Sequence, residues 1–216
     1  MDEMTRTNLT FKPNARIYGL VINGVLHSKR EYSRQVSSAL KDLKGELDTF
    51  VSELKTNNNA DMVKREYYHL MVIYARLLQI DKAADLFKEY ETRFGPDVFV
   101  FNGLLKAFVQ CHKLTELKQL FKERQSNNKP MNAISYNIAI EMLCKSGLID
   151  EALSLYEQMK SKNIKSDEVT YAVLLDGLGF ANRFQTAVQL FNESRISFGS
   201  SVNIACKSYK VQYILQ

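Results

Sequence analysis

The chain has 216 residues, of which 45% are hydrophobic and 25% charged, values that exclude a disordered polymer. Its 29 basic and 24 acidic side chains give a net charge of +5, compatible with an anionic partner without demanding one. Cys111, Cys144 and Cys206 lie far apart, which excludes a disulfide scaffold, and no run approaches the roughly 18 apolar residues of a membrane span. The acidic start Met1-Asp2-Glu3-Met4 fits neither a secretory signal nor an Arg-rich organellar leader. With 3 Pro and 9 Gly, long helices are permitted over most of the chain.

In chain order, Ile17 to Leu26 reads as a helix and Tyr32 to Leu54 as a longer one. Together they make residues 1–63 an N-terminal helical capping region, closed by the linker Thr56 to Asp61. Thereafter a repeat begins. Its clearest copy runs Ala133-Ile-Ser-Tyr-Asn-Ile-Ala-Ile, turns at Gly147, and continues Leu148-Ile-Asp-Glu-Ala-Leu to Lys160. Tyr136, Ile140 and Leu143 recur at helical spacing before the turn, and Ala152, Leu155 and Met159 after it. Asp150 and Glu151 open the second helix where negative charge is favoured. Phe101, Tyr136 and Tyr171 recur at intervals of 35, and Tyr67 precedes Phe101 by 34. Four helical hairpins are therefore predicted, at 64–97, 98–132, 133–167 and 168–202, with residues 203–216 as a further helix or partial repeat. One hairpin cannot bury its own apolar face, so neighbours must stack into an all-α solenoid. Phe101, Tyr136 and Tyr171, with Phe87, Phe121, Tyr156 and Phe191 on the second helices, are expected in its core.

A tetratricopeptide unit expects a small residue at its eighth position, where this chain has Leu105, Ile140 and Leu175. The run from Ile134 to Asp167 instead closely resembles the pentatricopeptide repeat, as does Val169-Thr-Tyr171. The copy at 98–132 departs from that pattern with Leu117 in place of a small alanine. The resemblance implies an alpha-alpha superhelix, a right-handed solenoid of helical hairpins, that binds single-stranded RNA in mitochondria or plastids. It also implies that the fifth and last residues of each repeat read one base, and that the second residue wedges against it. An amide or hydroxyl at such places can hydrogen-bond the Watson–Crick edge of an unstacked base.

Carried over to this chain, Asn137 and Asp167 resemble a uracil reader with Ile134 as wedge. Asn102 and Asn132 resemble a pyrimidine reader favouring cytosine, with Phe99 as wedge. Ala172 with Val202, and Tyr68 with Asp97, are not usual reading pairs. The basic bias concentrates in 98–132, where six basic side chains stand against two acidic ones. Lys106, Lys113, Lys118, Lys122, Arg124 and Lys129 are therefore the phosphate-contact candidates, set against the alternative of a solvated helix face.

His27, His69 and His112 lack metalloprotease spacing, and Cys111-His112 has no partner of either kind nearby in the sequence. No metal or cofactor site is expected, nor a catalytic constellation or small-molecule substrate, and Cys144 reads as a small core residue. The expected partners are RNA, single-stranded or structured, messenger or ribosomal, and the proteins of a larger ribonucleoprotein assembly. The expected role is non-catalytic, as a subunit of a mitochondrial particle such as the ribosome, in the matrix. A free transcript-specific factor, a plastid location and a protein–protein scaffold stand as alternatives.

Overall fold

The computed structural model describes residues 33–56 and 60–198, with side chains from Lys44 onward. The expected helix at 17–26 and the expected element at 203–216 lie outside the described residues. Every regular element among the described residues is an α-helix: α1 (Ser33–Thr56), α2 (Ala60–Arg76), α3 (Ile80–Phe94), α4 (Val98–Gln110), α5 (Leu114–Ser126), α6 (Ala133–Lys145), α7 (Ile149–Ser161), α8 (Glu168–Phe180) and α9 (Phe184–Phe198). Thr56, Ala60 and Asp61, expected in a linker, are helical, and the rest of that expected linker, 57–59, lies outside the described residues. The chain divides into two compact units, Met1–Tyr90 and Glu91–Gln216.

In the first unit α1 packs on α2. Asp48 accepts hydrogen bonds from the Tyr74 hydroxyl and the Lys82 ammonium, each at 2.7 Å. Tyr67 donates to Glu89 at 2.7 Å and sets its ring edge-on to Tyr90, with centroids 6.1 Å apart.

In the second unit α4–α5, α6–α7 and α8–α9 form successive hairpins, and the first helices α4, α6 and α8 pack side by side in that order. The local reasons repeat. Asp97, Asn132 and Asp167 cap the starts of α4, α6 and α8 with side-chain oxygens that accept backbone N–H groups. Each first helix ends on a residue in the left-handed region, His112, Gly147 or Asn182. The next backbone N–H then reaches back five residues, as from Leu148 to the Leu143 carbonyl at 2.9 Å, which satisfies the last carbonyls and turns the chain tightly.

Between hairpins the core is largely aromatic. Phe121 of one hairpin meets Tyr136 of the next edge-to-face, centroids 5.2 Å apart, and Tyr156 meets Tyr171 at 6.1 Å. Phe101, Tyr136 and Tyr171 are buried, as are Phe87, Phe121 and Tyr156, whereas Phe191 is only half-buried. Leu117 is also buried, so the hairpin at 98–132 accommodates a leucine where Ala152 and Ala187 stand in its neighbours.

Candidate nucleic-acid interface

The last residue of each repeat is also the N-cap of the next repeat's first helix, and that double duty builds the site. Asn132 Oδ1 accepts the Ser135 backbone N–H at 3.1 Å, while Ser135 Oγ accepts the Asn132 N–H at 3.2 Å. Asp167 and Thr170 repeat this reciprocal cap at 2.8 and 3.1 Å. The capping side chain is thereby fixed, and the fifth residue of the preceding helix comes to meet it. Asn102 Nδ2 donates to Asn132 Oδ1 at 3.2 Å, and Asn137 Nδ2 donates to Asp167 Oδ1 at 2.9 Å. Residues 30 apart in sequence are brought into two like pairs.

The two pairs differ in what they leave over. In the first, the Asn132 amide and one Asn102 N–H are donors without a partner among the described residues. In the second, one Asn137 N–H remains beside Asp167 Oδ2, a donor next to an anionic acceptor. Burial alone would raise the Asp167 carboxyl. Hydrogen bonds from the Thr170 backbone N–H and the Asn137 amide outweigh it and hold the group below its ordinary value.

Next to the pairs stand exposed apolar side chains. Phe99 is 71% exposed and Ile134 49%, although both lie in the first turns of helices whose other apolar residues are mostly buried. Val169, 55% exposed, occupies the same position in α8. It is the second residue of unit 168–202, 35 residues after Ile134, and that interval is its signal in the sequence. In unit 168–202 the fifth residue is Ala172, which offers no polar atom beyond its backbone.

The basic candidates separate. Arg124 is a correction: its side chain is 2% exposed, donates to Glu91 at 2.5 Å and to the Pro130 carbonyl at 2.9 Å, and stacks 4.2 Å from the Phe101 ring centre. It is a buried structural cation and faces no phosphate. Burial lowers its pKa, against the opposing pull of Glu91 and Asp97. The warning was positional, since one period on lies the buried Met159 and one further the buried Ser194. Lys129 also pairs with Glu91 at 2.5 Å, Lys118 with Glu151 at 2.6 Å, and Lys113 lies 3.8 Å from Glu116. Lys106 and Lys122 are exposed, and their ammonium groups have no partner among the described residues. Lys106 stands one helical turn beyond Asn102 on α4, on the same face. Lys122 instead borders a cavity of about 360 Å³ between α5, α6 and α7, floored by Leu117, Phe121, Leu143 and Leu155.

Cys144 is only partly buried, with Sγ directed at Gly177 of α8. Burial, then Asp176 and Glu141, push its thiol up to about 12. Among the described residues no group of three His, Cys, Asp or Glu side chains could hold a metal ion, and no helix is long and apolar enough to cross a membrane.

Comparison with known proteins matches residues 96–145 and 131–180 to the PPR repeat family, and 169–195 to the PPR repeat. A pentatricopeptide repeat-containing protein of Arabidopsis thaliana is 28% identical over 128 residues, covering 59% of this chain and 26% of its own. The small ribosomal subunit protein mL103 of A. thaliana is 27% identical over 145 residues, covering 65% of this chain and 35% of its own. Other relatives are named as chloroplastic or mitochondrial. The chain thus spans about a quarter to a third of the length of these two relatives. Among solved structures, the pentatricopeptide repeat protein PPR10 in complex with an 18-nt psaJ RNA element has the same fold. It aligns with a TM-score of 0.52 at 21% identity over 87% of this chain and 26% of that one.

Proposed function

Because the chain belongs to the pentatricopeptide-repeat family, we propose that it binds single-stranded RNA and reads two neighbouring pyrimidines. The observation that carries this reading is the pairing of Asn102 with Asn132 and of Asn137 with Asp167, with different polar atoms left over. Two unused donors match an edge with two adjacent acceptors. Among the four bases only cytosine, with O2 and N3, has that on its Watson–Crick edge. A donor beside a carboxylate oxygen matches an acceptor beside an imino N–H, as uracil presents with O4 and N3. Guanine shares that pattern, so the choice of uracil rests on the resemblance of Asn137 and Asp167 to the family's uracil-reading pair. In repeat order, Phe99 and Ile134 flank the first pair and Ile134 and Val169 the second, supplying apolar faces against which an unstacked base can lie. Lys106 is the phosphate contact best supported by its place beside Asn102, with Lys122 a weaker candidate.

The test is binding of short unstructured strands at low salt. Asn102→Ala with Asn132→Ala should abolish a preference for cytosine at one position. Asn137→Ala with Asp167→Ala should abolish a preference for uracil at its neighbour. Each loss should amount to roughly 1–3 kcal/mol of discrimination. Equal affinity of the unaltered chain for all four bases overturns the base reading.

The likeness to a ribosomal subunit protein favours residence in an organellar ribonucleoprotein, with the mitochondrial ribosome as first candidate and the plastid as the alternative compartment. Co-sedimentation of the native protein with a ribosome-sized particle checks this. Recovery with a single transcript would favour a free processing or translation factor, and recovery with protein alone would favour a scaffold.

A further inference from the structure

The side chains that decide the orientation of the reading amides belong to neither reading position. Ser135 Oγ lies 2.6 Å from Asn102 Oδ1, and Thr170 Oγ1 lies 2.7 Å from Asn137 Oδ1. Both hydroxyl-bearing residues are fully buried, and each is the third residue of the repeat after the one whose base it would affect. We infer that Ser135 and Thr170 are specificity-determining positioning residues, which fix the reading amides of the preceding repeat so that they present N–H rather than C=O to a base. This rests on the RNA-reading proposal above and deepens it.

The proton count supports the assignment. A hydroxyl has one hydrogen to give. Ser135 Oγ accepts the Asn132 backbone N–H, and Thr170 Oγ1 accepts that of Asp167. The backbone donors thus take an acceptor site on each oxygen and leave the hydroxyl proton for the shortest contact, which is the asparagine Oδ1 in both cases. Reversing either amide would bring two acceptors together. Asn102 Oδ1 would face Asn132 Oδ1, which already accepts from Ser135 N, and Asn137 Oδ1 would face the Asp167 carboxylate. Each amide is therefore held from both sides. Its carbonyl is consumed inside the protein, one N–H is spent on the capping residue, and one N–H remains for the base.

Two consequences follow for function. The helix cap and the base reader share one hydroxyl, so reading by one repeat depends on the folding of the next. The third position also varies with the reader. Ser135 and Thr170 follow repeats with asparagine at position five, whereas the hydroxyl-free Val100 follows the repeat with Tyr68 there.

The experiment compares the full chain with Ser135→Ala and Thr170→Val, and with the hydroxyl-retaining Ser135→Thr and Thr170→Ser, on short single strands differing at one base. Loss of one orienting hydrogen bond should weaken preference by about fivefold. Ser135→Ala should weaken the cytosine preference and leave the uracil preference intact. Thr170→Val should do the reverse, and the hydroxyl-retaining variants should keep both. A merely structural role for Ser135 would damage both preferences together, because its helix α6 carries Asn137. Full preference in Ser135→Ala and Thr170→Val overturns the inference while leaving the RNA reading intact. Absence of any base preference in the unaltered chain overturns the RNA reading instead. A measurement without RNA then decides the positioning claim: the side-chain amide NMR signals of Asn102 should move in Ser135→Ala and those of Asn137 in Thr170→Val, and unchanged signals overturn it.

Discussion

Arg124 donates from Nη1 to Glu91 Oε1 at 2.5 Å, and both side chains are nearly excluded from water. Lys129 reaches the other Glu91 oxygen at 2.5 Å from the loop after α5. A buried carboxylate stripped of its strongest cation bears a desolvation cost that a second, half-exposed cation offsets only in part. Arg124→Met should therefore destabilise the second unit by about 3 kcal/mol, since Lys129 still partly compensates Glu91. Adding Glu91→Gln should recover much of that loss. Urea midpoints of the single and double variants check this.

Tyr136 is fully buried, with its ring against Phe121. Tyr136→Ala should cost about 3–5 kcal/mol, the range for large aromatic truncations in a packed core. Thermal unfolding followed by circular dichroism measures it. Unchanged stability with weakened RNA binding would show that the ring contacts ligand instead.

Gly177 allows α8 to approach α6. A Cβ there would fall 2.5 Å from Cys144 Sγ and 2.8 Å from Cys144 Cβ. The second atom is fixed to the α6 backbone, so a rotamer change cannot relieve the contact. Gly177→Ala should destabilise by roughly 1–3 kcal/mol, and adding Cys144→Ala should restore only part. Because α6 and α8 carry Asn137 and Thr170, the same variant should also loosen the 2.7 Å contact between them. Its uracil preference should fall alongside its stability.

Asp167 titrates below its ordinary value of 3.8 in the folded chain, and so does Asp48, where burial is outweighed by bonds from Lys82 and Tyr74. A depressed carboxyl contributes stability that is fully present above its unfolded pKa and is lost as the pH falls through the folded one. Stability should therefore be flat from neutrality to about pH 5 and decline below about pH 4. Asp167→Asn keeps an oxygen for the α8 cap, and should flatten part of that decline. Urea midpoints measured down the acid range test it.

Much of the candidate site was legible because its parts repeat. Asn102, Asn137 and Ala172 fall at one interval, as do Phe99, Ile134 and Val169. What stayed hidden was pairing. Arg124 and Lys106 read alike in a charge count, yet one is buried against Glu91 and the other is exposed beside Asn102. Ser135 and Thr170 are not among the site residues that the sequence suggests. Their contact with the preceding asparagine joins residues 33 apart, and local spacing carries no information about it.

The sequence by itself determined that this chain forms α-helical hairpins of about 35 residues and which positions of each hairpin are alike. Apolar periodicity and capping chemistry act over a few residues, so they are written locally. Only the stacking of hairpins decided which polar atoms are spent and which remain. Hydrogen-bond capacity is used up pair by pair, between side chains that meet only after neighbouring helices have packed.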